Sequence, residues 1–239
     1  MAETSKTVDQ ALRVLAEIGS ARGPGTVAEL AQRLGVPRTV ANRLLATLHA
    51  HGFVHRGPDA RYALGVALVD LAGRVEARLR EVAAPVLARL AERLDETAIL
   101  TIRDGAEAVA LDQYRAGRYL VAIDYRPGTH HPLHVAAAGL AMLAWSADSQ
   151  AERVVAATPD PAAMRDRLAV IRSRGYADSA DEFQQGVCGV SAPIFGPRGA
   201  PVASIGVVTP AARFAAAGDF AGAVTEAARD VTAALTPGE

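Results

Sequence analysis

Arg38, Thr39, Asn42 and Arg43 form the densest cluster of side chains with specific chemistry to offer. Read as a helix, the segment puts Val40, Leu44, Leu45 and Leu48 on one core-facing stripe and these four polar residues largely on other faces. Guanidiniums bind phosphates and pair bidentately with guanine, and a carboxamide pairs with adenine, so the cluster suits DNA recognition. The competing reading is a two-helix piece of any small core. His130, His131 and His134 spell HHxxH. They lie in a Pro/Gly stretch without a neighbouring cysteine and lack the fixed geometry of a helical HExxH, so no metal is assigned. Asp181 and Glu182 are adjacent acids with no nucleophile or base at a diagnostic spacing. Without GxSxG, P-loop or Rossmann glycines, neither catalysis nor a cofactor is expected.

The elements around the polar cluster carry strong local signals. Pro37 suits the first turn of a helix and Gly52 its end. Thr26-Val-Ala-Glu29 reads as a capping box opening a shorter helix through Leu34. Two helices joined by a Gly-containing turn make a helix-turn-helix. Ahead of them, Thr7–Ile18 is an amphipathic helix with Val8, Leu12 and Leu15 on its apolar stripe, beside Ala11 and Ile18. After them, 53–56 and 61–64 flank Gly57-Pro-Asp-Ala60 as a hairpin, which makes the module winged. The wing would offer Arg56 and Arg61 to phosphates or the minor groove, or merely give an edge strand its solubility.

This reading divides the chain into a winged helix-turn-helix at 1–64, a linker helix at 65–80 and a second domain at 81–239. The linker is expected as one helix over Leu64–Leu79, with Pro85 in the first turn of the next. The second domain reads as α/β. Strands at 97–102 and 108–113 surround an Asp-Gly turn, and another is expected at 118–125. Pro127–His134 reads as a loop before an apolar helix, Val135–Trp145, and a further helix follows at 148–157. Asp160-Pro161 opens a helix that Gly175 closes. A loop at 178–185 leads to a hairpin of 187–195 and 200–208, and a helix closes the chain at 218–235.

Composition narrows the function classes. Half of the 239 residues are apolar, with no run long enough to span a membrane, so no membrane partner is expected. The first residues have neither a basic nor an apolar signal region, and the single cysteine fits a reducing cytoplasm. The net charge of −1 hides an asymmetry: residues 1–80 carry 11 Lys+Arg against 7 Asp+Glu, and the remainder 14 against 19. A modestly basic first third joined to an acidic remainder suits a nucleic-acid module on a larger domain.

The ordered motifs VAELAQRLGVPRTVANRLL (27–45), GFV, RYALG, PLHVAAAG (132–139), RSRGYA (172–177), DEF (181–183), GV (186–187), SAP (191–193) and VVTPAARF (207–214) resemble the IclR family of transcriptional regulators. The resemblance implies an α+β chain: a winged helix-turn-helix domain, a linker helix and a GAF/PAS-like effector-binding domain. It also implies self-association to a dimer or tetramer, and repression or activation from double-stranded operator DNA under a small-molecule effector. Arg38, Thr39, Asn42 and Arg43 become the groove-facing residues, with Asn42 the main non-cationic base reader.

In relatives that bind glyoxylate-like acids, the carboxylate sits on backbone amides whose positions match Ala137 and Ala138. Gly128 and His134 would border the same site, and His130 and His131 could border it too and help bind an anionic ligand. The family's Asp, Cys and two Ser positions fall on Ser179, Gly189, Gly206 and Val208. With Val187 alongside, that exchange implies a less polar, roomier pocket and a bulkier or more apolar effector than glyoxylate, an organic acid or aromatic metabolite. A vestigial pocket is the competing reading. Strand alternation turns Cys188 away from the pocket unless a bulge intervenes, which favours a structural thiol over a redox one. A metal- or redox-sensing regulator, or an enzyme with an accessory DNA-binding module, are the alternative functions.

Overall fold

The computed structural model describes residues 4–116, 123–214 and 220–236. The chain divides into two compact units, 1–77 and 78–239.

The first unit contains α1 (Lys6–Gly19), α2 (Val27–Leu34), α3 (Arg38–Ala50), the hairpin β1 (Val54–Arg56) and β2 (Tyr62–Leu64), and α4 (Ala67–Arg74). The capping box forms as its residues dictate. Thr26 Oγ1 accepts from the Glu29 amide and Glu29 accepts from the Thr26 amide, at 3.3 and 2.9 Å. Gly35 ends α2 in the left-handed conformation. Pro37 stands just ahead of α3, and its carbonyl receives the Val40 and Ala41 amides. Gly52 (φ 73°) lets the Phe53 amide reach back to Leu48, so α3 closes where expected.

The core of this unit joins Val14, Ile18, Leu30, Leu44, Leu45, Leu48, Val54 and Tyr62. Ala41 is also fully buried, while Val40 is only half-buried. The expected stripe on α1 is rotated: Val14 and Ile18 are buried, whereas Val8 and Leu12 are 57% and 61% exposed. These two, with Ala11, Leu15, Leu44, Leu48 and Phe53, line an apolar groove of about 290 Å³.

The linker departs from a single helix. α4 buries no residue, and without tertiary support so short a helix does not propagate. It ends at Arg74, and Glu76 turns into the left-handed region (φ 47°). α5 (Ala77–Leu94) then runs through Pro85 instead of starting at it. The carbonyl that Pro85 leaves without an amide is that of Glu81, on the same exposed face, where solvent can satisfy it.

The second unit is built on one six-stranded sheet ordered β5-β4-β3-β8-β7-β6. Its strands are β3 (Thr97–Asp104), β4 (Glu107–Arg115), β5 (His130–Pro132), β6 (Ala177–Ala180), β7 (Val187–Phe195) and β8 (Pro201–Pro210). Every ladder in it is antiparallel. β5 and β6 replace parts of the two expected loops. Of the expected strand at 118–125, residues 118–122 lie outside the described residues and 123–125 join no ladder.

The sheet's two faces bury different partners. Ala98, Leu100, Val190, Ala192, Ile194, Ala203, Ile205 and Val207 pack with α5 and α10 (Phe220–Leu235). Under the other face lies α6 (Ala136–Leu143), buried almost end to end, packed with α7 (Ser149–Ala156) and α8 (Pro161–Arg174). Asp148 caps α7, Asp160 caps α8, and Gly175 closes α8. α9 (Ala211–Phe214) follows β8.

Candidate functional site

On α3, burial of Ala41, Leu44, Leu45 and Leu48 forces the intervening positions outward, and Arg38, Thr39, Asn42 and Arg43 are all exposed. Arg56 is exposed on the hairpin. Arg61 is placed differently. Its guanidinium pairs with Glu29 at 2.9 Å and donates to the Pro24 carbonyl at 3.1 Å, tying the hairpin to the start of α2. The Thr26 amide, with Arg61 and Arg33 nearby, holds the Glu29 carboxyl below its usual range.

In the second unit, a cavity of about 30 Å³ opens at the N-terminus of α6. Six of the expected effector residues line it: Ala137, Ala138, Ser179, Val187, Gly189 and Val208. Gly128, His134 and Gly206 are not among its lining residues. The reason at Gly206 is explicit: a side chain there would meet Ser191 Oγ at 2.1 Å and the Val190 carbonyl at 2.2 Å. At this position the exchange opens no volume, because Ser191 fills the space. Ile99, Val187 and Val208 form an apolar wall, beside which Ser179, Ser191 and Glu182 supply polar groups.

The helix N-terminus is already engaged by the protein's own oxygens. Ala137 N–H donates to Ser179 Oγ at 2.9 Å, and Ala136 N–H donates to Glu182 Oε2 at 3.2 Å. Ala136 itself holds φ 61°, a conformation that costs a non-glycine residue about 1–3 kcal/mol and persists only where its surroundings enforce it. Arg167 on α8 donates to Glu182 Oε1 at 2.5 Å and to the Asp178 carbonyl at 3.0 Å. The strap bearing Glu182 is pinned at its base. Asp181 N–H donates to the Val187 carbonyl, and Gly186 N–H to Asp181 Oδ1.

Aromatic rings close the remaining side. Phe183, on the strap, lies 5.1 Å from His131 and 6.0 Å from Tyr125, while Tyr125 meets His131 edge-on at 6.2 Å. Burial pushes the Tyr125 hydroxyl pKa up and the His131 imidazole down. His131 is 2% exposed. Its Nδ1 contacts the Pro132 carbonyl at 3.0 Å, and its Nε2 has no hydrogen-bond partner.

Ile99, Tyr125, Phe183 and Arg167 carry no signal in the sequence that marks them as effector-site residues; of His130 and His131, both expected at the pocket's border, only His131 lines the cavity. Strand β5 separates the two, because alternation turns His130 outward to Glu107 and His131 inward. Among the described residues no three His, Cys, Asp or Glu side chains stand together to hold a metal. Cys188 is buried, and although alternation gives it the parity of Val190 and Ala192, it is among the residues that line the cavity, against the expectation that it turns away. Burial, with Asp181 nearby, raises its thiol pKa.

A winged unit with an exposed Arg/Asn helix face, joined to a unit with a cavity at a helix N-terminus, defines the class of ligand-responsive DNA-binding regulators. Residues 7–58 match the IclR helix-turn-helix domain and residues 74–233 the bacterial transcriptional regulator IclR C-terminal domain. The chain belongs to the IclR family. It is 33% identical to the HTH-type transcriptional regulator BhcR of Paracoccus denitrificans, over 97% of this chain and 88% of that one. Identity to the transcriptional repressor IclR of Escherichia coli is 28%, over 96% and 89%.

Among solved structures, an IclR homolog from Microbacterium hydrocarbonoxydans complexed with 4-hydroxybenzoate superposes with a TM-score of 0.85 at 25% identity, covering 98% of this chain and all of that one. An IclR regulator from Alicyclobacillus acidocaldarius gives 0.82 at 27%, with 98% and 100% covered. The two-part fold expected from the motifs is thus the family's. The chain is a ligand-responsive transcriptional regulator, and its named relatives are regulators, not enzymes.

Proposed function

We propose that this regulator binds operator DNA through α3 and the hairpin, and that an organic acid with an apolar, aromatic body controls it from the cavity at α6. The observation carrying the effector reading is a carboxylate, Glu182, already seated on an α6 amide beside Arg167, above apolar and aromatic walls. Amides at a helix N-terminus favour an anion through their free N–H groups and the helix dipole. A space of about 30 Å³ holds one water-sized guest, so any organic acid must displace the strap that carries Glu182 and Phe183. The relative that binds 4-hydroxybenzoate supports an effector of that size and chemistry.

Asn42 reads a base, and Arg38, Thr39, Arg43 and Arg56 position the module on phosphates. Arg61 holds the hairpin in place through Glu29. Self-association to a dimer or tetramer belongs to the same reading and is supported by exposed Val8 and Leu12 on the apolar groove of α1. The effector regulates only by binding unequally to the arrangements that do and do not fit the operator.

The experiment pairs selection of an operator from random DNA with a thermal-shift screen of organic acids. Acids that raise the melting temperature should also shift operator affinity. Stabilising acids that leave operator affinity unchanged would contradict the regulatory reading.

A further inference from the structure

Nε2 of His131 is the one cavity-lining side-chain atom that is both fully buried and without a hydrogen-bond partner among the described residues. The ring's other nitrogen faces the Pro132 carbonyl, which can only accept. Nδ1 therefore carries the ring proton, and Nε2 presents a bare lone pair. A buried acceptor left unsatisfied has lost its hydrogen bond to water without a replacement, so a guest that donates to it recovers what the fold gives up. The atom sits among rings: Tyr125 and Phe183 flank the imidazole, and a flat apolar body fits against them better than a chain.

Glu182 supplies the second half. Its carboxylate spans from the Ala136 amide to Arg167, and Arg167 keeps a separate bond to the Asp178 carbonyl. When Glu182 leaves, the amide and the cation stay in position for another carboxylate. The strap runs between Asp181 (φ 59°) and Gly186 (φ 78°), its base held by the Asp181 N–H bond to the Val187 carbonyl and the Gly186 N–H bond to the Asp181 carboxylate.

Resting on the effector site argued above, we propose that His131 and Glu182 select the effector. His131 Nε2 accepts a hydrogen bond from a hydroxyl on an aromatic acid. The acid's carboxylate takes the Ala136 amide and Arg167 from Glu182, which acts as an internal competitor. His131 is thereby a specificity-determining residue, and Glu182 sets the threshold for response.

Calorimetric titration of the full chain with the hydroxybenzoate isomers, benzoate and the methoxybenzoates tests this. The methyl ether keeps the oxygen but removes the donated proton. At least one hydroxybenzoate should bind more tightly than benzoate and its own methyl ether by about tenfold or more, because a site built to pair a hydroxyl rejects analogues lacking it. His131→Leu should bring that hydroxybenzoate down to the level of benzoate, with His131→Phe as a second variant if the first melts early. Glu182→Gln should tighten binding of every acid several-fold while keeping their order.

Equal binding of hydroxylated and methylated acids, discrimination that survives both His131 variants, or no binding of any hydroxybenzoate at millimolar concentration would overturn the proposal. Val208→Trp separates this failure from that of the site itself. If it fills the cavity and binding persists unchanged, the effector site lies elsewhere and both readings fall. If binding is lost in Val208→Trp but ignores His131, only the present inference falls.

Discussion

Asn42 and Arg43 are neighbours on α3 with different predicted contributions. Asn42→Ala should cost about 1–3 kcal/mol of discrimination at one base pair of the operator. Arg43→Ala should weaken binding across sequences and reduce the steepness of its salt dependence by about one unit. Salt-titrated binding to matched and mismatched operators measures both, and unchanged affinity in both variants would remove α3 from the interface. His131 gives a pH signature. Burial lowers its folded pKa, so the unfolded chain binds a proton more readily once pH drops below the unfolded value of about 6.5. Stability contributed by the neutral ring is present above that pH and is lost as pH falls toward the depressed folded value. Chemical denaturation from pH 8 to 5 should show this decline in the wild type and a flatter profile in His131→Leu.

At the level of elements, Asp148 shows how much one residue can organise. It accepts the Gln150 and Ala151 amides at the start of α7 and takes Arg103 of β3 in a two-pronged pair, and Arg103 holds its carboxyl well below the usual range. Asp148→Ala should cost about 1 kcal/mol through the lost cap, with Asp148→Asn retaining most of it, as read from urea midpoints. Gly206→Ser, which would restore a serine of the glyoxylate-binding relatives, should destabilise the sheet and recover no glyoxylate affinity. Its Cβ would collide with backbone at Val190 and with Ser191.

Elements written in local chemistry were legible from sequence: the Thr26 capping box, the Asp160-Pro161 start and Gly175 end of α8, and the Asp-Gly hairpin. The short edge strands β5 and β6 were not, because only their nonlocal partners β4 and β7 make them strands. The same reason hid the cavity's other half. Ser191 filling the space beside Gly206 depends on the register of the β7–β8 hairpin, and Phe183 meeting His131 is a contact between distant stretches of chain. On α1 periodicity alone does not fix the buried face, since Val8 and Leu12 are apolar yet exposed while Val14 and Ile18 are buried.

At the scale of the molecule, two compact units must communicate for an acid to alter DNA affinity. Leu12→Glu places a charge in the apolar groove of α1 and should lower the solution mass measured by light scattering if that groove joins copies of the chain. Coupling between effector and operator is reciprocal: whatever factor the acid imposes on operator affinity, the operator imposes on the acid.

The most direct test is to measure operator affinity with and without a saturating hydroxybenzoate, in the wild type and in Val208→Trp. The account predicts a shift of about fivefold or more in the wild type and none when the cavity is filled. An equal shift in both proteins, or none in a wild type shown to bind the acid, would contradict it.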